Sequence, residues 1–236
     1  HAAGELALHS LGHVKNGESG EISSQNALQL TLNTLDNTQG GVIVSSEQLK
    51  VAAHALDNSD QGLLSGYTGL SVLTNYLNNQ KQGTLSSREG ELRIQVTEHL
   101  DNSQQGVLVS QQALDVQADS MNNRQGIVSS AADVSLQLDG LLDNDGGQIF
   151  GENILVTAAQ LDNTAGDISA DQTLTLTGLA QFWNRQGGQV LSGSALLLQA
   201  DMIDNRESIL ASEGWLSLIA GQLSNSLQGR IAANQQ

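Results

Sequence analysis

Apolar and polar positions alternate along this chain in short runs that return at a regular interval. One interval contains the run VIVSS at residues 42–46, a polar corner, and the run LKVAA at residues 49–53, which leads into Leu56. Alternation with a period of two is typical of β-strands, whereas a helix places its apolar residues three and four positions apart. Each interval therefore predicts three short strands joined by three corners.

A triplet of an apolar residue, a polar residue and an asparagine marks each interval. Leu35-Asp36-Asn37 and Leu56-Asp57-Asn58 are two copies, and neighbouring asparagines of the series lie 19 to 23 residues apart. Self-similarity with a period of about 21 residues predicts a solenoid, in which each repeat packs only on its neighbours. The series consists of Asn16, Asn37, Asn58, Asn79, Asn102, Asn123, Asn144, Asn163, Asn184, Asn205 and Asn225.

Strands this short are not stable alone, so each is predicted to pair with its equivalent in the repeats above and below. The predicted fold is all-β: a single-stranded parallel β-helix with about eleven rungs of about 21 residues, forming one domain over residues 1–236. At roughly 4.8 Å per rung the rod would be about 50 Å long, with about six aliphatic side chains buried in each rung. A leucine-rich repeat has a similar period, but it requires leucine where Thr34 and Gln39 stand here.

The asparagine and a glycine that follows it are predicted to shape one corner of each rung. We interpret the asparagines as a structural ladder, in which amides one rung apart hydrogen-bond to each other and to the backbone of the corner. We interpret the glycine as the residue that supplies a positive φ at a sharp turn, because it has no Cβ to clash there. Ser208 replaces it once, and the glycines are Gly20, Gly41, Gly62, Gly83, Gly106, Gly126, Gly147, Gly166, Gly187 and Gly229.

Composition narrows the range of partners. Nine Lys and Arg residues against 25 Asp and Glu residues give a net charge of −16, which disfavours nucleic acids, polyanionic polysaccharides and anionic membrane surfaces. The absence of cysteine excludes disulfides and thiolate metal sites, and the absence of proline suits a backbone whose N–H groups are needed in a ladder. Without a run of 18 apolar residues, the chain is not expected to span a membrane.

The repeat resembles the haemagglutinin repeats of filamentous haemagglutinin and its relatives, the exoproteins exported by two-partner secretion in Gram-negative bacteria. Residues 161–180 (LDNTAGDISADQTLTLTGLA) carry the resemblance most fully. It implies a right-handed β-helical filament that is secreted or held at the cell surface, outside the outer membrane. It also implies a parent protein whose N-terminal domain, which nothing here matches, engages an outer-membrane transporter. This chain would then be an internal stalk of an adhesin, a haemolysin or a contact-dependent growth-inhibition effector.

The scattered acidic residues do not predict an active site. Polysaccharide-active β-helix enzymes need clustered carboxylates, so we expect no enzymatic activity, no catalytic residues and no cofactor. Asp36 and Asp57 precede ladder asparagines in successive rungs, and calcium could bridge such a column. We favour the interpretation that they cap local N–H groups, with nearby arginines neutralising some of them, and we assign no metal site. The arginines that follow ladder asparagines are Arg124, Arg185 and Arg206.

Repeats that depart from the pattern are where a binding function could reside. The interval from Asn79 to Asn102 is two residues longer than its neighbours. The candidate receptor contacts are Arg88, Glu89, Glu91, His99 and Trp183. Two main hypotheses follow: a stiff stalk that projects an adhesive or toxin domain toward a target cell, or a segment that itself binds a receptor on that cell. An exposed aromatic such as Trp183 would suit the second, whereas a residue that only covers a rung would suit the first.

Overall fold

The computed structural model describes residues 1–234 and, within them, contains 28 β-strands and no α-helix. The strands pair in parallel, and each strand between the two ends of the stack pairs with the strand one repeat earlier and the strand one repeat later. They form two sheets, of 11 and 17 strands, which enclose a single continuous core. The prediction of an all-β parallel solenoid with about eleven turns is therefore confirmed.

The 11-stranded sheet takes one four-residue strand from each repeat. Its second residue points inward and is aliphatic in every strand, so that Leu64, Leu85 and Leu108 pair in register in the middle of the rod. The strands are β2 (Glu21–Ser24), β4 (Val42–Ser45), β7 (Leu63–Gly66), β10 (Thr84–Ser87), β13 (Val107–Ser110), β16 (Ile127–Ser130), β19 (Gln148–Gly151), β22 (Asp167–Ala170), β24 (Gln189–Ser192), β26 (Ile209–Ser212) and β28 (Arg230–Ala233).

The 17-stranded sheet is made of the remaining strands. Toward both ends of the rod, a repeat contributes one strand of 9 to 11 residues: β1 (Leu6–Lys15), β3 (Leu28–Asp36), β23 (Thr173–Trp183), β25 (Ala195–Asp204) and β27 (Trp215–Ser224). In the middle, a corner of one or two residues divides each repeat into two strands: β5 (Gln48–Ala52) and β6 (Ala55–Asp57), β8 (Gly69–Thr74) and β9 (Tyr76–Asn78), β11 (Leu92–Val96) and β12 (His99–Asp101), β14 (Leu114–Ala118) and β15 (Ser120–Asn122), β17 (Val134–Leu138) and β18 (Leu141–Asp143), and β20 (Ile154–Thr157) and β21 (Gln160–Asp162).

Columns of aliphatic side chains fill the core. The second rung buries four of them, at Ile43, Leu49, Val51 and Leu56, each at most 2% exposed. The expectation of about six per rung was too high, because an asparagine and a small residue such as Ser45 take two further inward positions. The hydroxyl of Ser45 donates to the backbone oxygen of Asn26 at 2.6 Å, so this polar side chain is satisfied inside the corner.

The recurring glycines are required for close packing and not for a positive φ, which corrects the sequence interpretation. A Cβ at Gly41, Gly83 or Gly126 would lie 2.6 Å from the Oδ1 of the asparagine in the same rung, inside van der Waals contact. Gly188, not Gly187, holds this position in its rung. Gly187 is the residue just before it in the same corner, with open space around it and a φ of 84°.

The left-handed conformation instead falls on the residues between the asparagine and the glycine, and most of these are not glycine. Gln61, Gln82 and Gln105, for example, have φ values of 66–68°. Backbone hydrogen bonds to the next rung, such as Gln61 N–H to Lys81 O at 3.0 Å, hold these corners in place. The stacked rungs therefore impose a conformation that an isolated glutamine adopts at a cost of roughly 1–2 kcal/mol.

Candidate functional site

The asparagines form one continuous chain of side-chain hydrogen bonds along the rod. Each Nδ2 donates to the Oδ1 of the next asparagine at 2.7–2.9 Å, from Asn16 to Asn225. Most of them also donate to a backbone oxygen in their own corner, as Asn58 does to Gly62 O at 3.0 Å. From Asn37 to Asn205 the ladder residues are fully buried. The ladder satisfies its polar groups internally, which a buried amide requires.

The residue before each ladder asparagine lies in the outer column, which runs along the surface. Its members are Lys15, Asp36, Asp57, Asn78, Asp101, Asn122, Asp143, Asp162, Trp183, Asp204 and Ser224. Five of its carboxylates accept a hydrogen bond from the N–H two residues later at 2.9–3.1 Å, from Asp36 to Asp162. These carboxylates therefore cap the turn that starts each corner.

Capping also sets the charge state of Asp36. Burial by itself would raise the pKa of Asp36, but hydrogen bonds from the hydroxyl and N–H of Thr38, with the charges of Lys15 and His13, outweigh it. The pKa of Asp36 consequently lies below its ordinary value, and the residue is anionic at neutral pH.

Arginines hold the carboxylates in the C-terminal half of the outer column. Arg206 makes two hydrogen bonds to Asp204, Nε to Oδ1 at 2.8 Å and Nη2 to Oδ2 at 2.7 Å. Arg124 reaches Asp143 of the next rung at 3.3 Å. The hydrogen bond from Arg206 is the main reason that the pKa of Asp204 is lowered. In this half the chain itself supplies the cations that its outer carboxylates attract.

In the N-terminal half, an open groove of about 650 Å³ lies beside the outer column; we call it the Tyr76 groove. Its outer wall contains Tyr76, His13 and His99, with Ala55 between them as a small residue. Tyr76 is 44% exposed, and His54 meets its ring edge-on at 6.3 Å between ring centroids. The outer-column residues that line the groove are Asp36, Asp57, Asn78 and Asp101. Within residues 1–234, no Lys, Arg or His nitrogen lies within 4 Å of these three carboxylates.

Three of the candidate receptor contacts lie together at the corner between β10 and β11. Arg88, Glu89 and Glu91 are exposed there, where the longer repeat inserts one of its extra residues. The hydroxyl of Tyr67 donates to Glu89, and Arg93 pairs with Glu91 at 3.3 Å. The two glutamates are thus engaged with neighbouring side chains, whereas Arg88 points into solvent without an ion pair in the described part of the chain.

The other two candidates lie elsewhere, so the five residues do not form one site. His99 is in β12, where its Nδ1 is 3.0 Å from the hydroxyl of Ser120, and it lines the Tyr76 groove. Trp183 lies four rungs away in the outer column, beneath the guanidinium of Arg185 at 5.8 Å from the ring centroid. Phe182 beside it is buried in the leucine column.

Sequence reasoning did not identify the Tyr76 groove, although a signal was present. The position three residues before each ladder asparagine carries large rings at His13, Tyr76 and His99 but Ala55 in between. Ala55 pairs with Thr34 on one side and with Tyr76 on the other, so two small residues lie between the rings of His13 and Tyr76 and make a depression once the register is known. Among the described residues, no three His, Asp or Glu side chains are arranged to hold a metal ion.

Comparison with known proteins agrees with the repeat geometry. The sequence model of the haemagglutinin repeat matches residues 2–89, 87–127, 122–178 and 183–235. Comparison with curated proteins gives no match, and neither does comparison with solved structures. Over the described residues there is no helix long and apolar enough to cross a membrane. Because the matched segments cover nearly all of the asparagine-marked rungs, the chain belongs to the haemagglutinin repeat family.

Proposed function

We propose that this chain is a rigid spacer in a secreted or surface-bound exoprotein, with a structural and not a catalytic role. The observation that carries the proposal is the asparagine ladder, whose ten successive side-chain hydrogen bonds run without a break from Asn16 to Asn225. A spacer must keep its ends apart under thermal motion. Two continuous parallel sheets and a buried amide chain resist bending at every rung.

The export route and the cargo form part of the same proposal. Membership in the haemagglutinin repeat family favours export by two-partner secretion to the exterior of a Gram-negative outer membrane, through a transporter that recognises another part of the parent protein. A chain without cysteine suits such export, because it needs no oxidation step to fold outside the cell. The spacer would then carry an adhesive or toxin domain toward a target cell, in adhesion or contact-dependent growth inhibition.

A deletion of one whole rung from the parent protein tests the spacer role. Removal of residues 124–144 joins Asn123 to Asp145 and keeps every later residue in register, so the rod should shorten by about 4.8 Å and still fold. The control removes only residues 124–134, which leaves about half a rung between Asn123 and Asn144, too short to stack in register on the neighbouring rungs.

Small-angle X-ray scattering of the segment and the delivery or adhesion activity of the parent are the two readouts. The proposal expects that the whole-rung deletion keeps both the fold and most of the activity, whereas the partial deletion loses both. A whole-rung deletion that folds normally but abolishes activity would contradict a spacer role, because only the sequence of that rung would then explain the loss.

The second candidate function is direct recognition of a target-cell receptor, favoured by the exposure of Arg88 at the corner of the longer repeat. Flow cytometry of the fluorescently labelled protein on bacterial and host cells tests it. Saturable binding that Arg88→Ala weakens, while Arg230→Ala at the far end of the rod does not, would support recognition at this corner. Absence of saturable binding would leave the spacer role alone.

A further inference from the structure

The outer column shows, within this one chain, what its carboxylates bind. In the C-terminal half, Arg206 holds Asp204 through two hydrogen bonds, and Arg185 lies 3.7 Å from Asp162. Arg185 also lies over the ring of Trp183. A guanidinium between a carboxylate and an aromatic ring is a favourable arrangement, since the ion is planar, weakly hydrated and attracted to the ring face.

The N-terminal half offers the same chemical groups without the cation. Asp57 and Asp101 line the Tyr76 groove together with the exposed ring of Tyr76. The residues that follow ladder asparagines here are Thr38, Ser59, Gln80 and Ser103, none of which is basic. Lys15, the basic residue of the outer column, pairs with Glu18 at 2.6 Å. Within the described chain, the groove therefore has carboxylates and an aromatic wall but no guanidinium.

We propose that the Tyr76 groove binds an arginine side chain from an extended segment of a partner protein, with the guanidinium held between the ring of Tyr76 and the carboxylate of Asp57. Asp101 lies two rungs further along, roughly 10 Å away at the strand spacing of a sheet. A segment with a second basic residue can therefore engage both carboxylates. The net charge of −16 adds long-range attraction for a cationic segment. This binding role is additional to the spacer role and does not depend on it.

Shape and charge favour this occupant over others. The groove is open and its lining residues come from five successive rungs, from His13 to Asp101, which suits an extended chain better than an enclosed small molecule. Arginine suits it better than lysine because an ammonium ion is more strongly hydrated and cannot stack on the ring as a plane. An anionic or uncharged segment would leave Asp57 and Asp101 without a cationic partner in the groove.

A labelled peptide provides the probe. Fluorescein-labelled Gly-Arg-Gly-Arg is titrated with the protein at about 150 mM salt, where distant surface charges are largely screened, and fluorescence anisotropy is measured. The comparison peptides replace both arginines with lysine or with citrulline, the uncharged analogue of arginine. We expect binding of the arginine peptide, weaker binding of the lysine peptide and no binding of the citrulline peptide.

Matched variants separate the groove from the overall negative charge. Asp57→Asn with Asp101→Asn, and separately Tyr76→Ser, should each weaken binding at least tenfold, whereas Tyr76→Phe should keep most of it. Asp171→Asn with Asp201→Asn removes the same charge from two exposed residues outside the groove and should change binding less than twofold. Circular dichroism checks that each variant is folded.

One further variant fills the groove from within the chain. Ser59→Arg places a guanidinium two residues after Asp57, as Arg206 stands two residues after Asp204, and it should block the peptide. Equal loss of binding in the groove variant and the charge-matched control would overturn the proposal in favour of non-specific attraction. Equal binding of the arginine and citrulline peptides would overturn it as well, and would indicate recognition of neutral polar groups.

Discussion

The two halves of the rod share the stacked strands and the asparagine ladder but differ in the length and conformation of their corners. In the N-terminal half, residues 16–106, three residues separate each ladder asparagine from its glycine, and the last two of the three have positive φ. In the C-terminal half, residues 123–208, most corners have two such residues and only one positive φ. The glycine and the asparagine keep the same contacts in both. The corner can therefore change length while the ladder continues.

The halves also differ in what neutralises the outer column. Arginine follows the ladder asparagine in three C-terminal rungs and in no N-terminal rung of these halves. The C-terminal carboxylates are consequently paired, and the N-terminal ones line an open groove. Inward positions of the repeat keep the residues that the fold requires, whereas outward positions vary and can form ion pairs within the chain or bind a partner.

The largest expected effect tests whether the ladder is equally essential in both halves. Asn58→Asp and Asn163→Asp each place a carboxylate in a fully buried position that must donate a hydrogen bond. We expect each to destabilise the protein by about 3–5 kcal/mol at neutral pH, with a smaller loss at low pH because a protonated carboxyl regains a donor. Urea unfolding followed by circular dichroism measures this, with the exposed Asn33→Asp as control. A large difference in destabilisation between the two variants would contradict the idea that both halves depend equally on the ladder.

The second prediction concerns the glycine contact that both halves share. Gly83→Ala and Gly166→Ala each put a Cβ 2.6 Å from an asparagine Oδ1, so both should cost about 3 kcal/mol. Gly187→Ala is the control, because its Cβ meets no atom within 4 Å, and only its positive φ should cost about 1 kcal/mol. Thermal unfolding distinguishes the two. If the control were as damaging as the others, backbone conformation and not packing would explain the glycine.

A smaller effect is expected at the one corner where a serine replaces the recurring glycine. Ser208 replaces the glycine near the end of the stack, and its hydroxyl is buried without a hydrogen-bond partner in the described part of the chain. Ser208→Gly should stabilise the protein by about 1 kcal/mol, the gain from removing the unsatisfied hydroxyl less the backbone entropy of glycine. The midpoint of urea unfolding measures it, and a lower midpoint would show that this hydroxyl is satisfied by solvent.

The prediction with the smallest expected effect tests the difference in ion pairing between the two halves. Arg206→Ala removes the partner of Asp204, and because the Arg206 side chain is 43% exposed the loss of stability should be the smallest of the four. The pKa of Asp204 is lowered in the folded protein, so the contribution is present above the unfolded aspartate pKa of about 3.9 and is lost as pH falls through the folded pKa. Wild type and variant should therefore converge in acid. Arg88→Ala, which breaks no ion pair within residues 1–234, should show no difference at any pH.

The periodicity of the sequence was sufficient to predict the stacked parallel strands, because each repeat packs on neighbours that have the same pattern. Once Leu35 and Leu56 are recognised as equivalent, parallel stacking follows, and the ladder asparagines of the two rungs must meet. The corners could not be predicted in the same way. The left-handed conformation of Gln61 or Gln82 is imposed by inter-rung hydrogen bonds and contradicts what the residue prefers alone.

The sequence by itself determined the number of rungs, the parallel strands, the inward columns and the family, since all of these follow from a pattern that repeats every 21 residues or so. Only the tertiary structure decided why glycine follows asparagine, which carboxylates have a cationic partner, and that Tyr76 and Asp57 line one groove. The physical reason is distance along the chain. Most of those features depend on contacts between successive rungs, such as the ion pair of Arg124 with Asp143 and the approach of a Cβ at Gly41 to the backbone oxygen of Asn16, and these contacts are fixed only when the rungs have stacked in register.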